Sequence, residues 1–171
     1  MKQRLISLML ALAMLFTLSA CGGRQEEQEG LQLYFLTGGD ELHGPALGSE
    51  SFLGPANPGP EELVLALLRG PGDENLESPF PAGVTLQSVE WDETQPGNLR
   101  VYLSEQYSSL SDISLTLADY SIVLTLSQLE EVESVVILAD GHAIRYRSHQ
   151  RLRADEVLLT DERIGGTSAF S

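Results

Sequence analysis

The single cysteine of the 171-residue chain is the residue whose chemistry is easiest to read from its neighbours. Cys21 directly follows Leu18, Ser19 and Ala20, and it precedes two glycines. Residues 5–18 carry no charge, and two basic side chains lie upstream of them. This order is typical of a secretory signal peptide. The uncharged segment is shorter than the roughly 20 apolar residues that a membrane span needs.

The residues before Cys21 favour a bacterial lipoprotein signal over an ordinary cleavage site. An ordinary signal peptidase prefers small residues in an A-x-A pattern, and Leu18 stands where that pattern needs a small side chain. We therefore predict that residues 1–20 are removed, that the Cys21 thiol carries a diacylglyceryl group, and that the protein lies on the outer face of the cell membrane. The alternatives are an uncleaved N-terminal anchor and a secreted protein with a free thiol.

The charge of the remaining chain excludes several classes of partner. Cleavage removes Lys2 and Arg4, which leaves eight arginines against 25 acidic residues and a net charge of −17. Nucleic-acid binding requires clustered basic residues, so we exclude it. Such a surface also disfavours peripheral binding to anionic lipid, so the acyl chains must supply the attachment. Self-repulsion predicts a monomer in solution.

No spacing of polar residues indicates catalysis or a cofactor. The chain has neither a GxSxG nor a GxxxxGK[ST] motif. Its histidines, His43, His142 and His149, do not follow the spacings of zinc sites. The acidic pairs at 40–41 and 73–74 lack the EF-hand pattern. We therefore expect no enzyme activity, no metal and no cofactor.

The first half of the chain reads as a tether followed by the start of one domain. Residues 21–30 are rich in glycine and charge, which is typical of a flexible tether. Residues 31–36 alternate as a strand, and residues 37–59 are so rich in turn residues that they predict a long loop. The segment PEELVLALLRGP predicts a short helix that begins at Pro60 and ends at Gly70 and Pro71.

The second half predicts a hairpin, a helix and further strands. Residues 83–91 and 99–104 read as an antiparallel hairpin. An ambiguous stretch is assigned to a helix from Leu117 to Leu126, with Thr116 as a helix cap and Asp119 as its reciprocal partner. A buried strand then ends at a two-residue turn, which is either Asp140-Gly141 or Gly141-His142. The predicted single domain covers residues 31–160, with a core at 60–148 and a loose tail at 161–171.

Four arginines make the local charge positive on an otherwise acidic protein. They are half of the arginines that remain after cleavage, and no acidic residue lies between Asp140 and Asp155. One interpretation is that they only solvate the acidic body, with their stems covering apolar surface. The other is a docking face for an acidic partner. The four residues are Arg145, Arg147, Arg151 and Arg153.

Several segments together resemble the GerMN-domain lipoproteins of the sporulation and spore germination family. The matching pieces are LQLYFL, LVLALLRGP, FPAGVTLQSVEW and YSIVLTLSQLEEVESVVILADG, and in order they cover nearly all of residues 31–147. The family pattern places structural roles on Gly70, Pro71, Pro81, Gly83, Thr125, Leu126, Val132, Val135, Asp140 and Gly141.

The resemblance implies an α/β (α+β) fold and no catalysis. Two helices would pack on one mostly antiparallel sheet, similar to the ring-building motif of sporulation-complex proteins. The implied function is that of a Gram-positive membrane lipoprotein, a protein-binding or scaffolding module in envelope, sporulation or germination assemblies. The alternative is an envelope lipoprotein that binds a peptidoglycan fragment or a small solute, with residues 37–59 as a lid.

Overall fold

The computed structural model describes residues 30–38, 46–144 and 150–157. Within these ranges the chain forms two α-helices, α1 (Pro60–Arg69) and α2 (Asp112–Leu126), and two short 3₁₀ turns, Glu105–Ser109 and Ala154–Glu156. The strands are β1 (Gln32–Thr37), β2 (Leu47–Ser51), β3 (Leu76–Glu77), β4 (Leu86–Trp91), β5 (Asn98–Leu103), β6 (Ser134–Ala139), β7 (His142–Ala143) and β8 (Arg151–Leu152).

The strands belong to two sheets that share the helices. The first sheet has the order β2-β1-β3, and the second has the order β4-β5-β6-β7 with β8 also paired to β6. All pairs are antiparallel except β5 with β6. Helix α1 contacts β1 and β4, and helix α2 contacts β1 and β6. The predicted two-helix, mostly antiparallel α+β fold is confirmed, but its strands form two sheets rather than one.

A strand lies inside the predicted loop 37–59, so that prediction is wrong at β2. Strand β2 pairs along β1, with Leu47 opposite Leu36 and Ser51 opposite Gln32. Its sequence, LGSES, has no apolar alternation, and only Leu47 is buried. The strand is therefore specified by the backbone of β1 and not by its own side chains. Residues 39–45, in the same predicted loop, lie outside the described residues.

Helix α1 begins and ends as its sequence predicts. Pro60 occupies the first turn, where a missing N–H costs nothing, and the Glu62 carboxylate accepts the Gly59 N–H at 2.8 Å. Gly70 terminates the helix with φ +87°, a conformation that side chains other than glycine rarely adopt. The apolar face, with Leu63 and Leu67 fully buried, packs into the core.

Helix α2 begins five residues before the predicted start at Leu117. It starts at Asp112, whereas Thr116 caps nothing and instead donates its hydroxyl to the Asp112 carbonyl at 3.0 Å. Asp119 is a buried mid-helix residue and not part of a cap. The start was obscured because the helix is buried on several sides and has no single apolar stripe to reveal its period. Its end at Leu126 is as predicted.

The second sheet is organised around the parallel pair of β5 and β6. The predicted hairpin of β4 and β5 is confirmed, with a bulge between Leu86 and Ser88. Leu99, Val101 and Leu103 of β5 are fully buried, as their alternation predicted. Within the described residues, no helix is long and apolar enough to cross a membrane.

The turn between β6 and β7 is the Asp140-Gly141 alternative. Ala139 pairs with His142, so Asp140 and Gly141 are the two turn residues. Their φ values are +49° and +72°, the pair of positive angles that a type I′ hairpin needs. Asp and Gly tolerate these angles better than other residues, which is why the sequence predicts the position. Ile144, just beyond β7, is buried.

Candidate functional site

Polar side chains of α2 and of the turn just after it complete the hydrogen bonding of strand β1. The Gln128 amide accepts the Gln32 N–H at 2.8 Å and donates to the Gln32 carbonyl at 2.7 Å. Thr125 Oγ1 accepts the Tyr34 N–H at 3.2 Å, and the Ser121 hydroxyl donates to the Tyr34 carbonyl. The helix side chains therefore replace a neighbouring strand on this edge of β1. We call these three residues, Ser121, Thr125 and Gln128, the helix ladder.

The spacing of the helix ladder explains its fit to a strand. Ser121 and Thr125, four residues apart, lie on one face of α2, and Gln128 follows in the turn after the helix. Alternate strand residues present their N–H and C=O groups to the same edge. Thr125 and Ser121 are fully buried. The family resemblance pointed to Thr125, but Ser121 and Gln128 were missed. Their signal in the sequence was polar residues that recur at helical spacing through an apolar helix and just past its end.

Asp92 organises the turn that joins β4 to β5. Its Oδ1 accepts the Thr94 hydroxyl at 2.7 Å and the Thr94 N–H at 3.0 Å. Its Oδ2 accepts from Asn98 at 3.1 Å and from the Arg100 guanidinium at 2.7 Å. The bonds from Thr94, followed by those from Asn98 and Arg100, outweigh desolvation and hold the pKa of the Asp92 carboxyl well below its usual range. No motif in the sequence marks Asp92 as a site residue.

The same turn fixes the start of β6. The Gly97 carbonyl accepts the N–H groups of Glu133 and Ser134 at 2.8 and 3.1 Å. The Ser134 hydroxyl donates to the Asn98 side chain at 3.0 Å, and both residues are buried. These bonds set the register of the parallel pair, since Asn98 lies opposite Ser134.

A buried tyrosine and aspartate join the 3₁₀ turn after β5 to helix α2. The Tyr107 hydroxyl donates to Asp119 Oδ1 at 2.7 Å, and both residues lie in the interior. A buried carboxyl group is stable only when it is hydrogen-bonded, so this contact fixes where α2 crosses the core. Within the described part of the chain, no three His, Asp, Glu or Cys side chains are placed to hold a metal ion.

The residues singled out by the family pattern lie at turns and in the core. The Val84 N–H donates to the Pro81 carbonyl, and Gly83 has a φ of +83°. Val132 and Val135 are buried on either side of the turn into β6. The others lie at the end of α1 (Gly70, Pro71), in α2 (Thr125, Leu126) and in the β6–β7 turn (Asp140, Gly141).

The structure describes only part of the predicted arginine face. Arg151 and Arg153 are exposed; Arg151 lies on β8 opposite Val136, and Arg153 is 3.3 Å from Asp155. Arg145, Arg147 and His149 lie outside the described residues, as do Cys21, its preceding residues 18–20 and His43. The arginine face and the lipid attachment therefore remain predictions.

Two open grooves flank the segment after β2. One has a volume of about 480 Å³ and the other about 410 Å³, and Phe52, Leu53 and Arg69 line both. The carboxylates in their walls are already engaged, because Glu50 accepts from the Gly72 and Asp73 N–H groups and Glu62 accepts from Gly59. The grooves therefore present apolar side chains, the Arg69 guanidinium and two carboxylates that are hydrogen-bonded to main-chain N–H groups.

A smaller pocket lies at the carboxyl ends of the parallel strands. Its volume is about 290 Å³, and Glu105, Ser108, Asp140 and His142 contribute polar groups. The His142 ring Nδ1 is 2.7 Å from the Asp140 carbonyl. Ligand sites in open α/β sheets favour this end of the strands, but small-molecule pockets typically measure about 300–1,000 Å³.

Comparison with known proteins agrees with this architecture. The chain matches the Germane family, described as sporulation and spore germination, over residues 32–145. The first GerMN domain of the sporulation protein GerM from Bacillus subtilis is similar at a TM-score of 0.57 and 14% identity, over 74% of this chain and 98% of that chain. The tandem GerMN domains of the same protein give a TM-score of 0.56 at 14% identity, over 72% of this chain.

The structural matches show the fold, and the family match shows the family. The chain belongs to the Germane family of sporulation and spore germination proteins. It spans 45% of the tandem GerM structure, about the length of one of its domains. A weaker likeness, at a TM-score of 0.42 and 22% identity over 66% of this chain, is to a candidate lipoprotein of Clostridium perfringens. No curated protein matches the chain.

The helix ladder gives a direct stability prediction. Thr125→Val keeps the shape of the side chain but leaves the Tyr34 N–H without its acceptor, so the free energy of unfolding should fall by about 1–3 kcal/mol. Thr116→Val is the matched control, because Thr116 is exposed on the same helix and should change stability by less than about 0.5 kcal/mol. Urea unfolding measures both. Equal effects of the two variants would contradict the role of the helix ladder.

The depressed pKa of Asp92 predicts an acid-dependent part of the stability. Because the folded pKa lies below that of the unfolded chain, about 3.9, the contribution is complete above the unfolded value and is lost as pH falls below it. Asp92→Asn should therefore be less stable than wild type at pH 7, with a gap in the free energy of unfolding that narrows as the pH falls below about 4. Glu93→Gln, at an exposed position in the same turn, is the control. A gap independent of pH would refute the prediction.

Proposed function

We propose that this protein is a lipid-anchored, extracytoplasmic and non-catalytic member of its family, whose single domain binds a protein in an envelope, sporulation or germination assembly. The observation that carries the proposal is that polar side chains in the interior are hydrogen-bonded within the domain. Thr125, Gln128, Asp92 and Asp119 are bonded to the domain's own backbone and side chains. Such a domain acts through its surface.

The arginine face is the surface that best fits a protein partner. Arg151 lies on a short edge strand, and the segment around it carries four of the eight arginines left after cleavage. Arginine suits interfaces because its planar fork pairs bidentately with carboxylates. On a surface with a net charge of −17, this face would attract an acidic partner and orient it.

The alternative is a ligand-binding lipoprotein that uses the pocket beside His142. In its favour, four polar side chains line a pocket at the carboxyl ends of β5 and β6. Its volume of about 290 Å³ lies at the lower limit for small-molecule sites, which is too small for a large peptidoglycan fragment. We therefore place protein binding first.

The lipid anchor is tested by removing its attachment atom. In cells of a Gram-positive host, Cys21→Ala should accumulate as an unprocessed precursor without acyl mass, because the thioether bond requires the thiol. Cys21→Ser is the conservative control and should fail in the same way. Mass spectrometry of the membrane fraction measures both mass and cleavage. Normal cleavage before residue 21 in either variant would contradict the lipoprotein assignment.

The arginine face is tested by charge reversal in the acylated protein. Arg145→Glu, Arg147→Glu and Arg151→Glu together should reduce crosslinking to a specific partner at least tenfold, with a larger effect at low salt. The control changes three exposed residues elsewhere, Gln87→Glu, Gln95→Glu and Gln106→Glu, and should retain crosslinking. Melting temperatures of both variants establish folding. Undiminished crosslinking of the folded arginine variant would show that these arginines only solvate the domain.

A further inference from the structure

We propose that residues 52–58 form a membrane-contacting loop that orients the domain on the bilayer to which Cys21 anchors it. The proposal rests on the lipid anchor of the proposed function. It adds a second, non-covalent contact between protein and membrane, made by the folded domain itself. Three observations support it: the composition of the loop, the grooves around it, and its position beside the point where the tether joins the domain.

The loop is an uncharged segment on a strongly acidic protein. Residues 52–60, FLGPANPGP, carry no charge in a chain with 25 acidic side chains. Leu53 is 96% exposed, and Leu65 on the neighbouring helix α1 is 45% exposed. An isolated exposed leucine is ordinary, but here Phe52, Leu53, Pro55 and Leu65 together line one groove.

The grooves beside the loop have the chemistry of a lipid interface. Their apolar walls would receive acyl chains or the upper methylene groups of a leaflet. Arg69 lines both grooves, and a guanidinium suits the phosphate of a lipid headgroup. The groove carboxylates of Glu50 and Glu62 bond to main-chain N–H groups of the domain. Because a hydrogen bond from an N–H group does not cancel the charge of a carboxylate, the part of this patch that suits a lipid surface is the uncharged loop itself.

The loop begins where the tether ends. The Phe52 N–H donates to the Leu31 carbonyl at 2.8 Å, and Ser51 pairs with Gln32 at the start of β1. The ten steps from Cys21 to Leu31 reach at most about 35 Å, and a flexible chain of this length averages roughly 17 Å. A lipid on Cys21 therefore holds this loop close to the leaflet, so even weak contact would be populated.

A unique thiol tests the contact in the acylated protein. Because Cys21 is the sole native cysteine and its thiol is acylated, Leu53→Cys supplies one free thiol for an environment-sensitive dye. Gln87→Cys, at an exposed position on β4 in the other sheet, is the matched control. The protein is reconstituted into vesicles of phosphatidylglycerol and phosphatidylethanolamine with brominated acyl chains. We expect at least threefold stronger quenching of the dye on the Leu53→Cys chain than on the control.

The outcomes separate this proposal from the lipid anchor on which it rests. Mass spectrometry reports the acyl group independently of the dye. A chain that lacks acyl mass therefore refutes the lipid anchor, and with it the membrane contact of the loop. An acylated chain with equal quenching at both positions refutes the loop contact alone. Protection of the dye at position 53 by an added envelope protein, without quenching by lipid, would assign the loop to protein docking and also refute the proposal. Arg69→Glu should reduce the quenching at position 53.

Discussion

The edge of strand β1 that faces helix α2 is the constraint on which the structure depends. A strand edge beside a buried helix would leave N–H and C=O groups without partners, at a cost of about 1–3 kcal/mol for each. Ser121, Thr125 and Gln128 remove that cost at Gln32 and Tyr34. These side chains take the place of a strand at one edge of β1. At its other edge β1 pairs with β2, so the strand contacts both the sheet and the helix.

The rest of the polar interior follows the same rule. Asp92 fixes the β4–β5 turn, and Asn98 connects that turn to Ser134 at the start of the parallel strand. Tyr107 and Asp119 fix the crossing of α2. These polar side chains of the described interior hold the helices, strands and turns in position. Of the described residues, Arg151 lies on β8 in the second sheet, whereas the segment that begins at Phe52 follows β2 in the first sheet.

Local features were predictable wherever the residues of an element determine it by themselves. Pro60 and Gly70 delimit α1, the alternation of Leu99, Val101 and Leu103 identifies β5, and Asp140-Gly141 marks a tight turn. Each depends on backbone angles or burial over a few consecutive residues. The family, and hence the α+β fold, could be predicted because several such pieces occur in a fixed order. The uncharged residues 5–18 and Cys21 likewise predict a lipoprotein signal from the sequence alone.

Only the tertiary structure decided the features that depend on distant partners. Strand β2 exists because β1 offers it a backbone edge, since its own residues, LGSES, have weak strand preference. The start of α2 was hidden because a helix buried on several sides lacks an apolar stripe. Gln128 gained its role from Gln32, which is 96 residues away in the chain. The contact of Phe52 with Leu31 likewise arises from strand pairing, because the sequence specifies which groups need partners and the fold brings those partners together.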